Sequence, residues 1–147
     1  MIYTNSSGFH IGNVFNIINS NEIRRYYPKA NKWFVDKVLP TIHTINRDII
    51  TINENDKMAG FVILKLNEIS NKICTIYIDN QYKNKYIGSL LLTHVFNKYS
   101  GNFHVTVNEN RLAELDGILT KFKFKNDNIK KDKYMKGTKE YIYIRKT

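Results

Sequence analysis

Apolar positions change their spacing several times along this chain, and each change marks an element. After Ile11, the side chains of Val14, Phe15 and Ile18 follow at three, four and seven residues, the spacing that keeps them on one face of an α-helix. This helix spans 11–23 and ends at Tyr27-Pro28, because the residue before a proline avoids the helical region. A second helix is expected from about Lys29 to Leu39, carrying Trp33, Phe34 and Val38 and stopping before Pro40. Ahead of both, residues 1–4 fit a short strand and Asn5-Ser6-Ser7-Gly8 a turn.

The spacing then shortens to that of strands. Residues 48–52 begin a sheet, 53–57 form a polar turn cluster, and 58–66 return as the second arm of a hairpin. After a further turn at 67–71, Ile73-Cys74-Thr75-Ile76-Tyr77-Ile78 has the β-branched, apolar composition of a buried strand. A polar connection over 79–86 carries Lys83 and Lys85. It leads into a helix with Ile87, Leu91, Val95 and Tyr99 on one stripe. Residues 103–107 read as a strand and 110–122 as a helix lined by Leu112, Leu115, Ile118, Leu119 and Phe122. Phe124 starts another strand, and 141–144 make the last. This order predicts an α/β fold of the α+β type, a mixed sheet with helices on its faces. The portion 73–107 crosses over to a parallel partner, and such crossovers are right-handed. No internal repeat or composition break divides the chain, so residues 1–147 are expected to form one domain.

Composition adds limits. With 42% hydrophobic and 13% aromatic residues over 147 positions, the chain can bury a proper core and does not read as disordered. No apolar run approaches the roughly 20 residues of a membrane span, and residues 1–10 are too polar for a secretory signal. The single cysteine, Cys74, excludes an internal disulfide and fits a reducing, cytoplasmic setting. Within its strand it reads as a small core residue and not as a nucleophile. His10, His43, His94 and His104 are scattered, and no zinc spacing is present, so no metal site is expected.

Charge is the compositional feature that changes the picture most. The formal net charge is +10, and residues 121–147 alone hold ten Lys or Arg against three Asp or Glu. Such a face concentrates anionic partners, although a solvated lysine-rich surface gives the same count. Arg24-Arg25-Tyr26-Tyr27 is a second cationic, aromatic cluster. It reads either as a packed connection or as one wall of an acceptor site.

Strand, basic loop and helix start, in that order over 73–99, form a physical recipe for holding phosphate. Free N–H groups at a helix N-terminus and the helix dipole both favour an anion. GxxxxGK[ST] and GxGxxG are absent, which excludes the commonest glycine-loop nucleotide sites. Instead, Tyr82 to Leu91, within this element order, resembles the GCN5-related N-acetyltransferase (GNAT) superfamily. The family signature is Arg or Gln, two variable residues, Gly, one variable residue, then Gly or Ala. Its matching positions here are Lys83, Tyr86 and Gly88, of which only Gly88 is a strict match.

The resemblance implies a mostly antiparallel central sheet whose fourth and fifth strands splay apart, and an acyl-coenzyme A ligand, usually acetyl-CoA. Pyrophosphate would sit on backbone amides of Lys83, Asn84, Lys85 and Tyr86 and of the helix start, Ile87, Gly88 and Ser89. Tyr86 replaces a glycine that allows close approach, so its side chain has to point away. Pantetheine would pair with the strand edge Ile76, Tyr77 and Ile78, and the acyl carbonyl would meet an N–H near Ile78.

Acyl transfer also needs a base for the amine and an acid for the thiolate. The tyrosine that many members place five residues before a Gly-Phe pair falls here on Leu119, with Lys123-Phe124 in place of the pair. Tyr134 is the candidate replacement acid, with neighbouring lysines expected to lower its pKa. His104 and Tyr77 are candidate bases, and Glu109 is a weaker third. The expected activity is N-acetyl transfer from acetyl-CoA to an amine by direct attack. The acceptor is left open between small molecule, protein and RNA-linked amine, and the chain between monomer and homodimer. Two rivals keep the same fold: a non-catalytic module that binds nucleic acid through the basic C-terminal face, and a protein that retains CoA structurally.

Overall fold

The computed structural model describes residues 2–4, 8–83 and 86–147, with side chains from Ile11 onward. Seven strands form one sheet: β1 (Ile2–Thr4), β2 (Arg47–Glu54), β3 (Lys57–Lys65), β4 (Asn71–Ile78), β5 (Phe103–Asn108), β6 (Lys125–Lys131) and β7 (Lys139–Arg145). Their order is β1-β2-β3-β4-β5-β7-β6, antiparallel at every pair except β4–β5. The helices are α1 (Gly8–Ile18), α2 (Asn21–Arg24), α3 (Ala30–Trp33), α4 (Ile87–Lys98) and α5 (Leu112–Lys121).

Strand alternation sends apolar side chains to both faces, and each face has its own helical cover. Ile50, Val62, Ile73, Val105 and Tyr143 pack with Leu91 and Leu119 under α4 and α5. Ile49, Phe61, Ile63 and Tyr77 pack with Val14 and Phe34 under α1 to α3. The central strands β2 and β3 are therefore buried on both sides.

Two local features differ from the sequence expectation. The β2–β3 turn is only Asn55-Asp56, both with positive φ (50° and 61°), while the neighbouring polar residues belong to the strands. Asn and Asp tolerate that conformation, which a tight hairpin demands. The helix expected over 29–39 is α-helical only at Ala30–Trp33. It widens to a π-turn at Phe34–Val38 and tightens to a 3-10 turn at Leu39–Thr41 that contains Pro40. Proline is accommodated there because the first residues of a new turn need no N–H.

The parallel pair sets up the site. β4 and β5 are joined only at Asn71–Phe103, Lys72–His104 and Ile73–Val105. Beyond Ile73 β4 continues to pair with β3 as far as Ile78, and β5 continues to pair with β7 as far as Asn108. A wedge-shaped gap thus opens between two strands that each keep their other neighbour. Among the described residues no helix is long and apolar enough to cross a membrane.

Candidate functional site

Backbone polarity along the gap follows from pairing. Asp79 N–H donates to Ala59 O at 2.8 Å, so positions 77 and 79 face β3. Antiparallel alternation then turns the N–H and C=O groups of Ile76 and Ile78 toward the gap. Of the three strand-edge residues named from sequence, Ile76 and Ile78 present backbone to the gap, whereas the backbone of Tyr77 is committed to β3. The Ile76 carbonyl already has a partner: Arg111 Nη2 donates to it at 2.8 Å. Arg111 is buried, and its guanidinium is steered by Glu114 at 3.4 Å, which also lies 3.7 Å from Lys83 Nζ. Lys83 therefore links the loop to α5.

At the wide end of the gap the chain enters α4. Tyr86, at the N-cap of this helix, makes no side-chain cap and has φ 66° and ψ 8°. The position where the family signature has glycine therefore keeps a glycine-like left-handed backbone, and the Tyr86 side chain is 78% exposed. Lys123, in the place of the other family glycine, does the same with φ 72°. Gly88 serves packing: a Cβ there would meet Ile118 Cδ1 at 2.6 Å and Ile78 Cδ1 at 3.0 Å. Gly60 on β3 acts similarly from below, where a Cβ would lie 2.7 Å from the Tyr77 carbonyl and 3.0 Å from Ile87. The two glycines let the helix start lie directly on the β3–β4 edge. Ser89 on the first turn accepts from Lys121 Nζ at 3.3 Å, which brings a cation to the same corner. Asn84 and Lys85 lie outside the described residues.

On the other face, under α2 and α3, a cavity of about 300 Å3 opens over the gap. Thr75 and Thr106 border it from the two diverging strands, and Tyr27, Trp33, Lys133 and Tyr134 form its walls. The rings of Tyr27 and Tyr134 meet edge to face with centroids 5.2 Å apart. Of the Arg24–Tyr27 cluster, Tyr27 reaches the cavity, while Arg25 stacks over Tyr26 at 4.8 Å.

The sequence candidates are distributed unevenly around this cavity. Tyr134 lines it beside Thr106. Its phenol is pushed up by burial, which outweighs the opposing charge of Lys133; the net lowering expected from neighbouring lysines is overturned. A neutral phenol can still donate a proton. Tyr77 stacks on Phe61 at 5.3 Å and donates to Asp79 Oδ1 at 3.2 Å. Burial and nearby carboxylates raise its pKa strongly, so it holds its proton at neutral pH. His104 sits where β4 and β5 are still paired, with Nδ1 2.8 Å from Ser70 Oγ. Burial, then Lys72 and Lys133, lower its pKa and keep it neutral. Leu119, on the core-facing side of α5, is fully buried, so the usual tyrosine position supplies core packing.

Glu140 went unread in the sequence. It is fully buried on β7, opposite Asn108 of β5, and Asn108 Nδ2 donates to Glu140 Oε2 at 2.7 Å. The other oxygen, Oε1, has no hydrogen-bond partner among the described residues. Burial, followed by the charge of Glu109, raises its pKa above the ordinary 4.5. Its field reaches Tyr27, whose phenol is pushed up to about 12 by burial first and Glu140 second. A buried carboxylate with one unpaired oxygen and raised proton affinity has the character of a general base, although Glu140 lies behind the cavity lining and not in it. The signal in sequence was faint: a lone acid between Lys139 and Tyr141 looks like a surface charge until its strand is placed beside β5.

No protein-family model matches the sequence, and no curated protein sequence matches it. Solved structures do. A GNAT-family protein from Desulfovibrio desulfuricans superposes with a TM-score of 0.78 at 16% identity, covering 99% of this chain and 98% of that one. The ribosomal-protein-S18-alanine N-acetyltransferase from Escherichia coli gives 0.75 at 15% identity, over 99% of this chain and 94% of that one. An aminoglycoside 6'-N-acetyltransferase complexed with coenzyme A gives 0.71 at 8%, over 99% and 96%. The chain has the GNAT acetyltransferase fold, mixed sheet and splayed β4–β5 pair included.

Proposed function

We propose that this chain is an acyl-CoA-dependent N-acyltransferase, with acetyl-CoA the expected donor and an amine the acceptor. The reading is carried by one observation: the unpaired edge of β4 runs from the acceptor-side cavity directly to the N-terminus of α4. The residues present fit such a ligand. Ile78 offers an edge N–H, and Ile87, Gly88 and Ser89 offer first-turn amides next to Lys121. Arg111, on the Ile76 carbonyl, stands in the groove.

Acyl-CoA, when bound, supplies an activated thioester. The Ile78 N–H is placed to stabilise an oxyanion, a donor of a kind typically worth roughly 3–4 kcal/mol. Glu140 is the carboxylate we assign to the proton that the attacking amine must lose; its unpaired Oε1 is buried behind the cavity lining, so the proton reaches it through an intervening group, and Asn108 holds the carboxylate in place through Oε2. Tyr134, neutral and on the cavity wall, is the residue positioned to return a proton to the departing thiolate. His104 lies at the closed end of the β4–β5 pair, farther from Ile78 along the strand than Glu140's partner Asn108.

Thermal denaturation with acetyl-CoA, longer acyl-CoAs and free CoA tests the reading, since a ligand of the native state raises the melting temperature. No shift with any of them would sink it. A second reading, a nucleic-acid-binding module, draws on β6, whose seven residues are all exposed and include Lys125, Lys130 and Lys131. Absence of binding to RNA or DNA at low salt removes that alternative.

A further inference from the structure

The acceptor cavity is electrically lopsided. Its charged lining residues are Lys29, Lys72 and Lys133, with no acidic side chain among them. None of the three forms an ion pair among the described residues; Lys133 lies over the Tyr134 ring, 5.4 Å from its centroid. Lys72 and Lys133 converge, since both act on the His104 imidazole at the closed end of the gap. Glu140 is buried behind this lining, with its unpaired Oε1 beside Asn108 where β5 ends. The remaining walls are aromatic: Tyr27, Trp33 and Tyr134.

Unpaired ammonium groups facing a partly enclosed cavity attract an anion more strongly than they would in open solvent. A polycationic acceptor would instead meet Lys72 and Lys133 with like charge. The volume, about 300 Å3, sits at the small end of ligand pockets.

Building on the acyltransferase reading, we propose that the acceptor is a small anionic amine. Its body packs on Tyr27, Trp33 and Tyr134, and its carboxylate or phosphate is held by Lys72 and Lys133. Lys29 adds to the same field from the cavity rim.

The test is equilibrium binding by calorimetry, with CoA present and absent, so the result does not depend on turnover. The probes are 4-(2-aminoethyl)benzoate, the corresponding phenyl phosphate, and the neutral 4-(2-aminoethyl)benzamide. All three carry the same aryl-ethylamine and differ in the distal group. The expected result is at least tenfold tighter binding of the anionic probes than of the amide. Lys72→Gln and Lys133→Gln should each weaken the anionic probes about five- to tenfold and change the amide far less. Lys72→Glu should reverse the preference. The benzoate and phosphate arms separate the two anion sources. Equal binding of all three probes, or undiminished anion preference in the Lys72→Gln, Lys133→Gln double variant, overturns the proposal. If acetyl-CoA gives no thermal shift while the anion preference holds, the acyltransferase reading fails and the anion site stands. If acetyl-CoA binds and the probes are indistinguishable, the reverse is true.

Discussion

Arg111 reaches across the splayed strands and donates from Nη2 to the carbonyl oxygen of Ile76 at 2.8 Å. The contact places a buried cation on the strand edge that the fold leaves open, and Glu114 and Lys83 extend it to the loop before α4. The ligand-free edge is thus partly satisfied from within the chain. A hydrogen bond involving a charged group typically contributes about 1.5–3 kcal/mol. Arg111→Met should lower the melting temperature of the free protein and enlarge the shift produced by acetyl-CoA, because the Ile76 carbonyl becomes available. Thermal denaturation with and without ligand measures both; a smaller ligand shift would mean that Arg111 helps to hold the ligand.

Glu140→Gln keeps a side chain that can pair with Asn108 and removes the proton acceptor. Turnover should fall about 10²- to 10⁴-fold, the usual range for general base catalysis, while the acetyl-CoA shift is preserved. The same variant has a pH signature. The folded-state pKa of Glu140 is raised above 4.5 by burial, so the folded chain holds its proton more tightly than the unfolded chain. The ionised carboxylate therefore costs stability, a cost absent below 4.5 and fully expressed above the raised pKa. Relative to Glu140→Gln, wild-type stability should decline as pH rises through that window. Denaturant melts of both proteins from pH 4 to 8 read the difference, and parallel curves would contradict it.

Tyr134→Phe removes the hydroxyl and leaves the ring against Tyr27. Turnover should drop more than acceptor affinity, separating kcat from KM. Burial raises this phenol's pKa, so the wild-type rate should show no loss from tyrosine ionisation across the neutral range.

Tyr86 and Lys123 both hold left-handed backbone conformations at positions where the family pattern has glycine. A non-glycine residue there carries roughly 1–2 kcal/mol of strain. Tyr86→Gly and Lys123→Gly should each be neutral or stabilising, unlike most glycine substitutions, and Tyr86→Gly should leave CoA binding intact or tighter. Chemical denaturation and CoA titration check the two parts.

Gly60→Ala and Gly88→Ala should separate two kinds of crowding. At Gly60 the new methyl meets a backbone carbonyl at 2.7 Å, which has little room to yield. At Gly88 it meets the Cδ1 ends of Ile118 and Ile78, which can rotate. The Gly60 variant should be the more destabilised, by more than the roughly 1–3 kcal/mol usual for overpacking, as thermal denaturation will show.

Much of the fold was readable because periodicity reports burial directly. The 3.6-residue stripe of Ile87, Leu91 and Val95 and the apolar run from Ile73 to Ile78 became α4 and β4. The breakdown of α3 into π and 3-10 turns was not readable, because three helical forms share similar apolar spacing. The mostly antiparallel sheet and its splayed pair followed from the family resemblance and were borne out by the fold, whereas the insertion of β7 between β5 and β6 came from the structure.

The candidate site divides along the same line. Sequence by itself determined where an amide-bearing helix start follows a strand edge, since both are local consequences of a few consecutive residues around Gly88. Only the tertiary structure decided that Glu140 faces Asn108, that Arg111 caps Ile76, and that Lys72 and Lys133 converge on one cavity. Those pairs lie between 32 and 61 residues apart in the chain. They meet because β5 is flanked by β7 on one side and by β4, paired only at its start, on the other. Proton affinity and electrostatic field are properties of such neighbours, so the buried Glu140 carboxylate and the lysine-lined cavity became visible only in the folded chain.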